Sequence, residues 1–231
     1  MKKFHYFSYV LFEFFLISIF FIIPPILPSL QIHSDNNFEV DNYVSIFFIL
    51  TSSLLLALLL CFFPEKKSIK EYYFSYFKFY HFFYSFNTLK IMFIITLIIK
   101  YAFSFFKIEL IHVPTINLNF TFRSLFPFVI NIFVKATYEE ILYRFYIVNR
   151  LKYMISYVQN IKLSKFLNIF AEIIAICLFA LAHKYLGIFA ILNAFFAAIY
   201  LRILIWKTND NLLWNIVVHS LYNIIVIFLT Q

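Results

Sequence analysis

The chain of 231 residues is poor in the residues that usually punctuate a fold. It holds one glycine, six prolines and two cysteines, whereas glycine alone makes up ~7% of an average protein. Cys61 and Cys177 stand in apolar runs with no partner spacing. They read as small buried hydrophobes with no redox message, which excludes a secreted disulfide scaffold. Charge is scarce as well. Charged residues are 13% and hydrophobic residues 64%, against about 25% and about 45–50% in soluble domains. That balance excludes a soluble α/β enzyme and a disordered chain. With a mean hydropathy of +0.87, the chain is a membrane protein. Its abundant Phe, Ile, Lys, Asn and Tyr read as an AT-rich coding bias without structural meaning.

What is present is a series of apolar runs. A helix crossing a bilayer needs about 20 such residues. The first run, about 7–28, follows Lys2-Lys3 and closes on Pro24, Pro25 and Pro28. It is too long for a signal peptide and has no small-residue cleavage site, so it reads as an uncleaved span. Further spans are expected at about 43–63, 89–106, from Leu125 onward, up to His183, at 188–206 and at 212–229. Between the second and third lies an aromatic stretch, 71–86, with polar residues at Glu71, Ser75, Lys78, His81 and Ser85. Their spacing marks one helical face, and it predicts a helix lying in the interface plane. The expected architecture is therefore all-α, a bundle of about seven spans with one interfacial helix. The formal net charge is +8, but no basic stripe falls in a soluble domain, so nucleic acid is not an expected partner. Lys and Arg instead concentrate in the loops facing one side, including Arg150, Lys152, Lys162 and Lys165. They favour a cytoplasmic N-terminus.

Function in such a chain is sought among ionisable groups inside the spans. A carboxylate at the bilayer centre costs about 2.5–3.5 kcal/mol on insertion scales. Glu13, Glu139, Glu140 and Glu172 lie within expected spans. The adjacent pair Glu139-Glu140 is the hardest to explain as decoration. Neighbours on a helix diverge, so the two carboxylates are expected to face different ways and do different work. Glu140 and Arg144 stand at i,i+4 and can pair, leaving Glu139 to face a cavity. Glu172 either lines the same cavity or partners Arg144. His183 follows Phe179 at i,i+4, and His219 precedes Asn223 by the same step. A turn near residue 160 sets Glu139 and His183 within about 3 Å of each other in depth. A cluster of Glu139, His183, His219 and Asn223 is thus geometrically allowed.

Read together, the motifs are Glu139-Glu140-Ile141-Leu142-Tyr143-Arg144, Phe179-Ala180-Leu181-Ala182-His183 and His219-Ser220-Leu221-Tyr222-Asn223. This series resembles the EExxxR, FxxxH and HxxxN motifs of the CPBP family. That family comprises CAAX prenyl endopeptidases and bacteriocin-processing or self-immunity proteins, also called the Abi family. The resemblance covers about 125–228, and residues 1–124 are expected to form a variable N-terminal membrane region ahead of a catalytic core at 125–231. Two departures stand out: Phe145 replaces a common glycine, and Gly187 alone remains of the glycines usual in the sixth helix.

The resemblance implies intramembrane hydrolysis of a peptide bond in a membrane-associated peptide or protein. Glu139 would be the general base on water, and His183 would hold and polarise that water. His219 and Asn223 would stabilise the oxyanion, with Glu140 and Arg144 in support. A metal-free glutamate mechanism is the favoured expectation. A zinc ion on Glu139, His183 and His219 is the alternative, because the family is often labelled as metalloproteases. The chain is expected in a bacterial plasma membrane. Two other classes compete: a non-catalytic self-immunity or scaffolding protein of the same fold, and a proton-coupled transporter. Transporters usually show internal repeats and broken helices, and neither is visible in the sequence.

Overall fold

The computed structural model describes residues 2–26, 78–106 and 122–230, and among them every regular element is helical. The elements are α1 (Lys2–Ile17), α2 (Phe79–Phe105), α3 (Phe122–Glu139), α4 (Ile147–Ile155), α5 (Ile161–Leu181), α6 (Ile188–Lys207) and α7 (Leu212–Thr230). A π-helix, Glu140–Tyr146, joins α3 to α4. Among the described residues, four segments are long and apolar enough to cross a membrane: Phe7–Ile26, Phe79–Phe105, Ile161–Leu181 and Ile188–Lys207. Leu212–Ile227 is a shorter apolar helix. The chain is an integral membrane protein. The expected span at 43–63 lies outside the described residues.

The segment expected to lie in the interface plane differs from that reading. Residues 79–86 are the first two turns of α2, and residues 71–77 lie outside the described residues. His81 and Ser85 of the polar stripe are buried, while Phe79, Phe82, Phe83 and Phe86 are exposed. An interfacial helix and a spanning helix share the same two-faced pattern. In a spanning helix the apolar face turns to lipid and the polar face turns inward, because lipid satisfies no polar group. The pattern alone does not separate the two cases.

The chain forms two compact units. One comprises 1–31 and 141–198, the other 32–140 and 199–231. In the first, α1 packs on α4 and α4 on α5. Arg150, expected in a basic loop, is instead 1% exposed within α4. Its guanidinium lies 3.4 Å from both carboxylate oxygens of Glu13 on α1. A buried guanidinium needs such a partner, because an unpaired charge in an apolar interior is costly. Phe14 stacks on Tyr146 beside this pair, and Glu172 on α5 takes Lys152 on α4. The hairpin between α4 and α5 turns at 156–160, where expected, and Asn160 caps α5 by accepting from the Lys162 and Leu163 amides.

In the second unit α7 packs against both α2 and α3. Thr96 and Tyr222 share a hydroxyl hydrogen bond of 2.7 Å between α2 and α7. The turn from α6 into α7 is built from Asn209, Asp210 and Asn211. Asn209 (φ 53°) and Asp210 (φ 61°) take the left-handed region, which Asn and Asp tolerate better than most residues. The Asp210 amide returns to Ile205 O at 2.9 Å, closing the end of α6. Asn211 then caps α7 through the Leu213 amide. Asparagine at 160, 209 and 211 thus does the punctuation that glycine does elsewhere. At these positions its abundance carries structural meaning, contrary to the expectation from composition.

The one glycine stands where no other residue fits. Gly187, with φ 89° and ψ 178°, joins the turn after α5 to the start of α6, in a region essentially restricted to glycine. Gly187→Ala is expected to cost about 1–3 kcal/mol and to lower the melting temperature in detergent. Asn209→Gly, which keeps the left-handed geometry open, is expected to stay within about 1 kcal/mol of wild type.

Candidate active site

Helix α7 supplies one wall of the site. Asn215, His219 and Asn223 follow at i, i+4 and i+8, so they line one stripe. Asn215 and His219 are buried, and Asn223 is half-buried. The apolar residues Ile216, Val218 and Tyr222 are buried alongside them. This places Asn215 and His219 inside the packed unit on an otherwise apolar helix.

The facing wall is the end of α3. Glu139 closes that helix and Glu140 opens the π-helix, an irregularity found frequently at functional sites in helices. Glu139 is 8% exposed and Glu140 is fully buried. The two carboxylates diverge as expected, but they straddle a single ring. Glu140 Oε1 lies 2.7 Å from His219 Nδ1, and Glu139 Oε2 lies 3.5 Å from His219 Nε2. Glu140 Oε2 also accepts from Asn215 Nδ2 at 3.0 Å. Both oxygens of Glu140 therefore have donors. Glu139 Oε2 is buried and accepts no hydrogen bond among the described residues.

Arg144 and His183 belong to the other unit, where both meet Phe179. The Arg144 guanidinium stands 3.9 Å from the centre of the Phe179 ring, a cation–π geometry. Tyr143 meets the same ring edge-on. His183 lies just past the end of α5, half-buried, and its Nδ1 is 2.8 Å from Phe179 O. A carbonyl only accepts, so Nδ1 carries the proton and the ring orientation is fixed.

The sequence reading missed Asn215. The signal was available, because Asn215 precedes His219 by the same four residues that separate His219 from Asn223. An Asn inside an apolar run has many bland explanations, and only its contact with Glu140 distinguishes it. The zinc alternative finds Glu139 and His219 side by side. Within this unit, however, His219 Nδ1 and both oxygens of Glu140 are committed to hydrogen bonds. That leaves two donors where catalytic zinc takes three protein ligands. Among the described residues no group of three or more His, Cys, Asp or Glu is placed to hold a metal ion. Taken by themselves, Glu139 and His219 of this unit do not complete a metal centre.

The two glutamates are expected to differ in what their loss does to stability. Glu140→Ala strips the acceptor from His219 Nδ1 and Asn215 Nδ2. Each buried donor left unsatisfied costs about 1–3 kcal/mol. Glu139→Ala breaks no hydrogen bond seen at Oε2. Thermal unfolding in detergent should therefore show E140A melting well below E139A.

No curated protein and no solved structure matches the chain. A family model does. It is described as Rce1-like, type II CAAX prenyl endopeptidase, and it matches residues 121–225. The matched stretch contains Glu139, Glu140, Arg144, Phe179, His183, His219 and Asn223. Through residues 121–225 this chain is similar to the Rce1-like, type II CAAX prenyl endopeptidase family.

Proposed function

We propose that this protein hydrolyses a peptide bond of a membrane-associated peptide or protein, using water activated by Glu139. The observation that carries this reading is the asymmetry of the glutamate pair. Glu140 is spent on His219 and Asn215. Glu139, beside the same imidazole, keeps a buried oxygen with no hydrogen bond among the described residues. A general base needs a lone pair that is not already taken.

The chemistry balances without an ion. Glu139 takes a proton from water while the water oxygen bonds to the carbonyl carbon, and the carbonyl electron pair moves onto its oxygen. Glu140 holds the proton of His219 on Nδ1, so Nε2 is the ring's acceptor, 3.5 Å from Glu139 Oε2. The proton passes from Glu139 to Nε2. The imidazolium, with the Asn223 amide, then faces the oxyanion. Collapse of the intermediate re-forms the carbonyl and breaks the C–N bond, and the leaving nitrogen takes the proton. The family resemblance gives His183 the task of polarising the water, for which Phe179 O fixes its ring. In this reading residues 125–231 are the catalytic core, and the lipid bilayer is both solvent and source of substrate.

The test is a mass-spectrometric comparison of membrane peptides between wild type and Glu139→Gln at equal protein level. Uncleaved species should accumulate in E139Q, with cleavage slowed by about 10²–10⁴, the usual contribution of a general base. Undiminished cleavage in E139Q would overturn the proposal. Activity should persist in a chelator. Loss in chelator with recovery on adding zinc would replace the metal-free step.

A further inference from the structure

We infer that Asn215 is a positioning residue, which sets the tautomer of His219 by holding Glu140. The inference rests on the proposed hydrolytic role of this site, and its structural half can be tested without activity.

The argument begins with the surroundings of the Asn215 amide. The residue is fully buried. Its Nδ2 lies 3.0 Å from Glu140 Oε2 and 2.9 Å from Leu201 O. Both neighbours are acceptors, so only the NH₂ end of the amide can face them. That fixes the orientation of the side chain. The amide oxygen Oδ1 points elsewhere and accepts no hydrogen bond among the described residues. An isosteric aspartate would set a carboxylate against a carboxylate and a carbonyl. The position thus demands two donors, and an amide is the smallest neutral side chain that supplies them.

The consequence runs along one chain of contacts. The Leu201 carbonyl, on α6, anchors Asn215, and Asn215 anchors the outer oxygen of Glu140. The inner oxygen of Glu140 is thereby aimed at His219 Nδ1, 2.7 Å away. A carboxylate so placed keeps the proton on Nδ1. Nε2 is then left as the acceptor toward Glu139. Which ring nitrogen carries the proton is set by the hydrogen bond the other group makes. Asn215 touches no reacting atom in this scheme and acts through Glu140.

The experiment uses full-length protein in nanodiscs, labelled with ¹⁵N-histidine, with His219 assigned by comparison with His219→Gln. Wild type should show one His219 tautomer, protonated on Nδ1. Asn215→Asp and Asn215→Leu should shift that signature toward the Nε2-protonated form or a mixture. Against a farnesylated CAAX-type peptide, kcat should fall about 10–100-fold, the rate equivalent of one hydrogen bond to a charged group, with KM nearly unchanged. If the residue acts through Glu140, Asn215→Leu should add little to the loss already caused by Glu140→Gln. Should N215D fail to fold, N215L carries the test, since it introduces no second carboxylate. A wild-type His219 signature in folded N215L overturns the inference, even where Glu139→Gln is inactive and the hydrolytic reading stands. A shifted signature alongside an active E139Q would do the reverse: Asn215 would position His219, and the glutamate-base reading would fall.

Discussion

The buried carboxylate of Glu140 is the constraint on which the rest of the site depends. Fully buried, it cannot remain charged without donors, because an isolated ion in an apolar medium is far too costly. The sequence meets that demand twice from α7, with His219 Nδ1 and Asn215 Nδ2. The two donors stand one helical turn apart, so a single helix face serves both oxygens. This arrangement does more than stabilise. It ties α3 to α7 at one depth, and it leaves His219 with only one nitrogen to offer. Glu139, one residue earlier, meets that nitrogen. Adjacent acids that look redundant in the sequence are thus unlike in the fold. One is saturated, and the other has a buried oxygen to spare.

Another deep charge, in the other unit, follows the same rule. Arg150 is enclosed almost completely and is met by Glu13 of α1, with Tyr146 and Phe14 packed alongside. Breaking such a pair leaves an uncompensated buried charge, which costs about 3–5 kcal/mol. The first helix is therefore joined to its neighbour by polar chemistry as well as by apolar contact. Few charges are present in this chain, and several of those few are used inside.

Much of this was legible in the sequence, for physical reasons. Apolar run lengths set the ends of α6 and α7 closely, because the bilayer imposes a length on any helix that crosses it. The acids and histidines inside the spans stand out because a polar group in lipid needs a reason to be there. The legible features share a strong one-body penalty. What could not be read depends on partners. The polar face at His81 and Ser85 is equally consistent with water and with a neighbouring helix. Arg150 looks like a loop residue until Glu13 is placed beside it. Asn215 carries no penalty pattern of its own and becomes meaningful only through Glu140. The π-helix at Glu140–Tyr146 has no signature in residue spacing at all.

The polar turn ahead of α7 has a further bearing on how the site meets its membrane. Asn209, Asp210 and Asn211 fix the start of that helix through backbone geometry and a cap. His219 lies eight residues beyond Asn211, so its distance from this turn is about 12 Å along the helix. That distance is set by the hydrogen-bonded register of the helix and is independent of lipid. A thicker or thinner bilayer produces hydrophobic mismatch, which proteins absorb by tilt or by local lipid deformation. The spacing between the turn and His219 therefore stays the same, whatever the thickness of the sheet around the helix.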